Sequence, residues 1–194
     1  MGSAALKLII LDRDGVINHD SADFIKSPKE WVPIPGSLEA IARLNQAGYR
    51  VIVASNQSGI AREFFDMAML NAIHQKMHAL AQQVGATIDA IFFCPHAAAD
   101  HCDCRKPKPG MFTEISQRYK TSLKGVPTVG DSLRDLQAGF ISGCLPYLVL
   151  TGKGASTNLT GGLPPGTLVF ADLAAAVNHL LKVTVVAPTI AISN

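Results

Sequence analysis

Short, almost continuously apolar runs, each stopping at a cluster of polar residues and each followed by a helix-length amphipathic segment, constrain this chain more than any other feature. Leu6 to Leu11 ends in Asp12-Arg13-Asp14-Gly15, and Arg50 to Ala54 ends in Ser55-Asn56-Gln57-Ser58-Gly59. Ile88 to Phe93 runs into a group of cysteines, and Pro127 to Val129 leads into Gly130-Asp131-Ser132. Strands that are apolar on both faces belong inside a parallel sheet, because crossover helices cover both sides; a strand with one wet face would alternate. Between them, Leu38, Ile41, Ala42 and Leu44 recur at helical spacing and Gly48 closes that helix. Further helices are predicted from about Asp66 to Val84, Met111 to Tyr119, Asp135 to Ile141 and Leu173 to Leu181. Tyr147 to Leu150 and Leu168 to Phe170 supply two more strands, whereas Gly154 to Gly166 reads as a loose surface loop.

The expected fold is therefore α/β, a Rossmann-like parallel sheet with helices on both faces. At 194 residues the chain is long enough for one sizeable core and too short for two. Residues 1–182 form the expected single domain; residues 183–194 are an apolar, proline-containing tail without helical period, and Met1-Gly2-Ser3 has the look of an expression scar. Only 42 residues lie between Asp12 and Ser55, and 50 between Ser55 and Lys106, so neither interval holds a cap domain.

In open parallel sheets, ligands bind outside the carboxyl ends of the strands. The clusters headed by Asp12, Ser55, Lys106 and Asp131 thus fall on one rim. Taken singly, Asp-x-Asp-Gly marks a turn, Ser55 a bend and Lys106 a solvated surface. Together they supply what phosphoryl transfer needs: a positioned nucleophile, charge neutralisation and a proton source. Asp12 is the candidate nucleophile, forming an acyl-phosphate that splits one hard step into two. Asp14 is the candidate acid and base, protonating the leaving oxygen and later activating water. Adjacent carboxylates repel a phosphate, so a hard, oxygen-liganded cation such as Mg²⁺ is required, with Asp131 completing its ligands. Ser55 with the amides after it, and Lys106 as a point charge, are placed to hold the phosphoryl oxygens.

Cys94, Cys102 and Cys104 crowd into eleven residues with His96 and His101, while Cys144 stands apart. Cys94, His96, Cys102 and Cys104 make the ligand complement of a closed tetrahedral Zn²⁺ site, with His101 as the alternative imidazole. A closed shell leaves no position for substrate, so this zinc is structural. The loop leads directly into Arg105-Lys106, which it would brace against the rim.

The formal net charge of +2 gives no whole-surface attraction to nucleic acid or acidic membranes. No run reaches the roughly 18 apolar residues of a membrane span, and no secretory leader pattern is present. The expected setting is a cytoplasmic, monomeric enzyme acting on a small phosphorylated metabolite, with no nucleic-acid or membrane partner.

Asp12-Arg13-Asp14-Gly15, Ser55-Asn56-Gln57, Lys106-Pro107 and Gly130-Asp131-Ser132-Leu133-Arg134-Asp135 resemble the four ordered motifs of the haloacid dehalogenase superfamily, over roughly residues 6–152. That resemblance implies an aspartyl-phosphate at Asp12, with Mg²⁺ held by the Asp12 side chain, the Asp14 backbone carbonyl and Asp131. Asp14 points to the phosphatase branch, since a halide leaving group needs no proton. The zinc loop followed by Cys-Arg-Lys-Pro-x-Pro-Gly, and Ser55 to Arg62, resemble more narrowly the D-glycero-D-manno-heptose 1,7-bisphosphate 7-phosphatases, relatives of the histidinol-phosphate phosphatase domains. The resemblance implies removal of the C7 phosphate on the way to the ADP-heptose of lipopolysaccharide. It also implies substrate contacts at Ser55, Asn56, Arg105 and Lys106, with Arg105 taking the second phosphate. The chain departs from that pattern at Ser55, at Ser132 and along Asn18 to Pro35. Histidinol-phosphate hydrolysis, and a zinc-braced binding module that has lost the chemistry, are the competing readings.

Overall fold

The computed structural model describes residues 6–186. The described strands are β1 (Lys7–Leu11), β2 (Tyr49–Asn56), β3 (Ala90–Cys94), β4 (Pro127–Gly130), β5 (Leu145–Val149) and β6 (Leu168–Phe170). They form one six-stranded sheet in the order β3-β2-β1-β4-β5-β6. Every pairing is parallel. The order reverses at β1, which lies between β2 and β4, so the crevice at its carboxyl end is the topological switch point where such sheets bind ligands.

Successive residues of β1 point to opposite faces, and both faces are dry. Ile9 and Leu11 pack with Val51, Val53 and side chains of α1 (Ser37–Gln46), α2 (Met67–Gln83) and α6 (Leu173–Val186). Leu8 and Ile10 pack on the other side with Ile52, Ala54 and the residues Met111, Phe112 and Ile115 of α3 (Gly110–Tyr119) and Ala138 of α4 (Leu133–Ile141). The predicted two-sided sheet is present, and no cap domain interrupts it among the described residues. No described helix is long and apolar enough to cross a membrane.

Two expectations are corrected. Residues 154–160, read as loop because Ser, Thr and Asn dominate them, form the short helix α5 (Gly154–Thr160). Gly154 starts it against the Val149 carbonyl, where a Cβ would lie 1.7 Å from the oxygen. Packing against β5 outweighs weak helix propensity here. The closing helix also continues to Val186, past the expected tail boundary at residue 183, because the apolar, β-branched run after Leu181 carries no breaker before Pro188. Residues 187–194 and the N-terminal Met1-Gly2-Ser3 lie outside the described residues.

Candidate active site

Asp12 sits one residue beyond β1, its amide donating to Val129 O of β4 at 2.9 Å. Its carboxylate is nearly buried; Oδ1 accepts from the Arg13 amide at 2.7 Å and forms an ion pair with Lys106 Nζ at 3.1 Å. Lys106 also pairs with Asp135 Oδ1 at 2.7 Å and donates to Ala54 O at 2.7 Å. Asp12, Asp131 and Asp135 bring carboxylate oxygens within 4.8 Å of one another. Three carboxylates around one ammonium leave uncompensated negative charge at the bottom of the cleft. Burial pushes Asp12 up to about 6, Lys106 opposing and Asp135 and Asp14 adding to the shift. Burial, then Asp12 and Asp135, pushes Asp131 up to about 8. Oxygen-only ligands with excess negative charge are the donor set of a hard divalent cation.

Glycines make room for Asp131. A Cβ on Gly15, at φ +81°, would lie 2.0 Å from Asp131 Oδ2, and one on Gly152 would lie 2.2 Å from the same atom. The amide of Lys153 donates to that oxygen at 2.8 Å. Sequence reasoning read Gly15 as a turn; its second task is to let the Asp131 carboxylate in.

Asp14 is held differently. Its Oδ1 accepts from Asn18 Nδ2 at 2.8 Å, and its Oδ2 from Gln57 Nε2 at 2.9 Å and Arg13 Nη2 at 3.0 Å. Burial pushes its pKa up, but the Arg13 guanidinium and the bonds from Asn18 and Gln57 outweigh it and hold the carboxyl below its ordinary value. Arg13 is wholly buried, and its Nη1 lies 3.4 Å from His74 Nε2. Burial and the neighbouring Arg13 push His74 down to about 4. A neutral His74 can thus accept from Arg13.

Ser55 is buried at the end of β2 and its hydroxyl accepts from Gln57 Nε2 at 2.8 Å. Asn56 exchanges two bonds with the Lys106 backbone, Nδ2 to Lys106 O at 3.0 Å and Lys106 N to Oδ1 at 3.1 Å. That reciprocal clamp sets the position of Lys106, a job the sequence did not reveal. Arg105 donates to His96 O at 3.2 Å, linking the rim to the cysteine loop.

That loop closes on itself. Cys94 Sγ lies 3.6 Å from Cys102 Sγ and 3.7 Å from His96 Nδ1, and Cys104 Sγ lies 3.5 Å from Cys102 Sγ and 3.3 Å from His96 Nδ1. A tetrahedron with Zn–S bonds of ~2.3 Å has edges of about 3.8 Å, close to these separations. Burial and a hydrogen bond with Cys104 push Cys94 up to about 12, so three thiolates coexist here only beside a compensating cation. His96 belongs to the cluster; the alternative, His101, is outside it.

Asp12, Asp14, Ser55, Asn56, Arg105 and Asp131 line one cleft of about 250 Å³. Lys106 lies beneath it, buried against Asp12 and Asp135. The reading by motif missed Gln57, Arg62, Arg134 and Lys153 on its walls and Asp135 behind them. Asp135 carried a usable signal: with Ser132 it forms a capping box at the start of α4, Ser132 N donating to its Oδ2 at 3.0 Å.

Residues 7–133 match the family model described as polynucleotide kinase 3 phosphatase, and residues 103–176 a HAD-hydrolase-like model. The D-glycero-beta-D-manno-heptose-1,7-bisphosphate 7-phosphatase of Bordetella bronchiseptica is 60% identical, over 91% of this chain and 99% of the relative. The protein of that name from Pseudomonas aeruginosa is 54% identical, over 90% and 98%. A crystal structure of the B. bronchiseptica D,D-heptose 1,7-bisphosphate phosphatase, complexed with magnesium and phosphate, superposes with a TM-score of 0.90, covering 91% of this chain and 99% of that one. The Burkholderia thailandensis structure of the same description, 54% identical and covering 91% and 99%, gives 0.74.

Proposed function

The chain belongs to the D-glycero-D-manno-heptose 1,7-bisphosphate 7-phosphatases of the haloacid dehalogenase superfamily, and on that footing we propose that it removes the C7 phosphate of the heptose bisphosphate through an aspartyl-phosphate at Asp12. The observation that carries this reading is the convergence of Asp12, Asp131 and Asp135 on one point, with Lys106 bridging two of them, at the floor of a cleft where strand order reverses.

Mg²⁺ fits the floor: the Asp12 and Asp131 carboxylates and the Asp14 backbone carbonyl would hold it, and when bound it neutralises charge on the phosphoryl oxygens. Asp12 attacks phosphorus as the bond to the sugar oxygen breaks, and that oxygen takes a proton from Asp14. Water then attacks phosphorus as the bond to the Asp12 carboxylate oxygen breaks, its proton goes to Asp14, and orthophosphate leaves with Asp12 restored as a carboxylate. In the arrangement described, Asp14 is held ionised by Arg13, Asn18 and Gln57, the form required for the second half. The first half requires Asp14 to carry a proton, which exclusion of water by the substrate favours.

Ser55 supports the phosphoryl oxygens, Lys106 fixes and neutralises the Asp12 carboxylate, and Asn56 keeps Lys106 in place. Arg105, on the rim and tied to the cysteine loop, is placed for the second phosphate. Cys94, His96, Cys102 and Cys104 suit a structural Zn²⁺ that orders that rim. This is the work of a monomeric cytoplasmic enzyme folded as one domain.

The test is phosphate release from heptose 1,7-bisphosphate, histidinol phosphate and a 3′-phosphorylated oligonucleotide, by the wild type and Asp12→Asn. The heptose bisphosphate should give the highest kcat/KM, and the variant should show no turnover. Robust turnover by Asp12→Asn, or a preference for either other substrate, refutes the reading; the oligonucleotide addresses the polynucleotide phosphatase match directly.

A further inference from the structure

The cations around the cleft differ in how many hydrogen bonds they have left to give. An ammonium has three donors; Lys106 gives one to Ala54 O and is held in ion pairs with Asp12 Oδ1 and Asp135 Oδ1. Arg13 is sealed and points at Asp14, Gln57 and His74. Lys153 is paired with Asp20 at 2.8 Å, and Arg62 lies over the Phe24 ring, 5.9 Å from its centroid.

Arg134 is in another position. It follows Leu133 at the start of α4, is partly buried and lines the cleft. Its Nε is out of contact with solvent and has no hydrogen-bond partner, and its guanidinium makes no hydrogen bond or ion pair among the described residues. The charges acting on it are Asp135, Asp12, Asp131 and Asp20, the first three being the floor carboxylates. A buried donor without a partner is costly. It is retained where a ligand completes it.

We propose that Arg134 is a catalytic residue that hydrogen-bonds the phosphoryl group being transferred to Asp12; this rests on the phosphatase reading above. Lys106 neutralises charge at the floor and is held there, buried, by its ion pairs with Asp12 and Asp135. Arg134 adds a fork of planar donors next to the same carboxylates, with none of it spent. Its anion is the reacting phosphate itself, which every phosphate-monoester substrate of the site shares, and not the distal phosphate peculiar to the sugar bisphosphate.

The test compares wild type, Arg134→Ala, Arg134→Lys and Asp12→Asn at saturating Mg²⁺. Turnover is measured on heptose 1,7-bisphosphate and on a simple monophosphate ester, and orthophosphate binding by calorimetry. For Arg134→Ala, kcat should fall ~10²-fold on both substrates, with orthophosphate binding weakened about tenfold. Arg134→Lys should recover only part of the loss, and millimolar guanidinium should partly restore Arg134→Ala. A purely structural arginine would show no such chemical rescue. Unchanged kcat and orthophosphate affinity in Arg134→Ala overturn the proposal. So does a loss confined to the bisphosphate, which would place the guanidinium against the distal phosphate. An inactive wild type or an active Asp12→Asn would instead overturn the phosphatase reading, and the calorimetry still decides whether Arg134 binds phosphate.

Discussion

Removing magnesium should make the stability of this protein depend on pH in a direction opposite to ordinary acid denaturation. Asp131 is 2% exposed and pushed by burial, then by Asp12 and Asp135, up to about 8, while its unfolded value is 3.8. A folded pKa raised above the unfolded one means that the native state binds the proton more tightly, so stability is gained as pH falls through the folded value. One extra proton on the native state is worth ~1.4 kcal/mol per pH unit. Lowering the pH from about 8 to 6.5 should therefore add about 1.5–2 kcal/mol. For 194 residues that is about 3–8 °C in Tm. Below that window two groups oppose each other: Asp12, raised to about 6, goes on adding stability as it protonates, whereas His74, lowered to about 4, withdraws it because the unfolded histidine takes its proton first. The assay is thermal unfolding after dialysis into magnesium-free buffer, which leaves a thiolate-bound zinc in place, against the same series with saturating Mg²⁺. The slope between pH 8 and 6.5 should vanish with Mg²⁺, and in Asp131→Asn without it. A flat magnesium-free profile, or a slope indifferent to both changes, would refute the reasoning that the floor carries unbalanced carboxylate charge.

Gly15→Ala puts a Cβ 2.0 Å from Asp131 Oδ2 at φ +81°, and kcat should fall by ~10²-fold or more. Gly48→Ala, at φ +82° with nothing within 4 Å, should lose stability in urea unfolding but keep its kcat. Cys102→Ser should abolish stoichiometric zinc by elemental analysis and lower kcat through Arg105 and Lys106, whereas Cys144→Ser keeps both; full activity without zinc would contradict the brace. Arg13→Lys removes the fork from Asp14, so the acidic limb of the kcat profile should move to higher pH; an unmoved limb counts against Asp14 as the titrating group.

How far the sequence carries depends on whether a residue's job is local. The sheet was legible because apolar runs such as Leu8 to Leu11 have nowhere to sit except a two-sided core. The meeting of Asp12, Ser55 and Asp131 at one cleft was legible because strand ends in a parallel sheet share one rim, and the Cys/His cluster because its four residues are close in the chain. Asn56 lines the cleft as expected of a substrate contact, and its amide also clamps the Lys106 backbone across 50 positions of sequence, a pairing no spacing reveals. Arg13 has the same opacity: it received no role from the motif, and only the fold shows it wholly buried, linking His74 to Asp14 and Gln57. α5 escaped because its seven residues depend on contact with β5, and Arg134 because a motif records that a residue is present but not that its donors are unspent.

The distribution of charge explains why the site needs both its buried floor and its rim. On the floor, three carboxylates face one lysine already ion-paired with two of them, so a phosphate monoester is repelled until a divalent cation or protons on Asp12 and Asp131 offset that excess. On the walls, Arg62, Arg105, Arg134 and Lys153 outnumber Asp20, and Asp14 is balanced by Arg13. Substrate is therefore drawn by the rim and refused by an uncompensated floor. Protonation relieves the refusal at the expense of the reaction, since a protonated Asp12 is no nucleophile. A divalent cation relieves it while leaving Asp12 ionised, and that difference is the physical reason acidic pH should stabilise the magnesium-free protein without making it active.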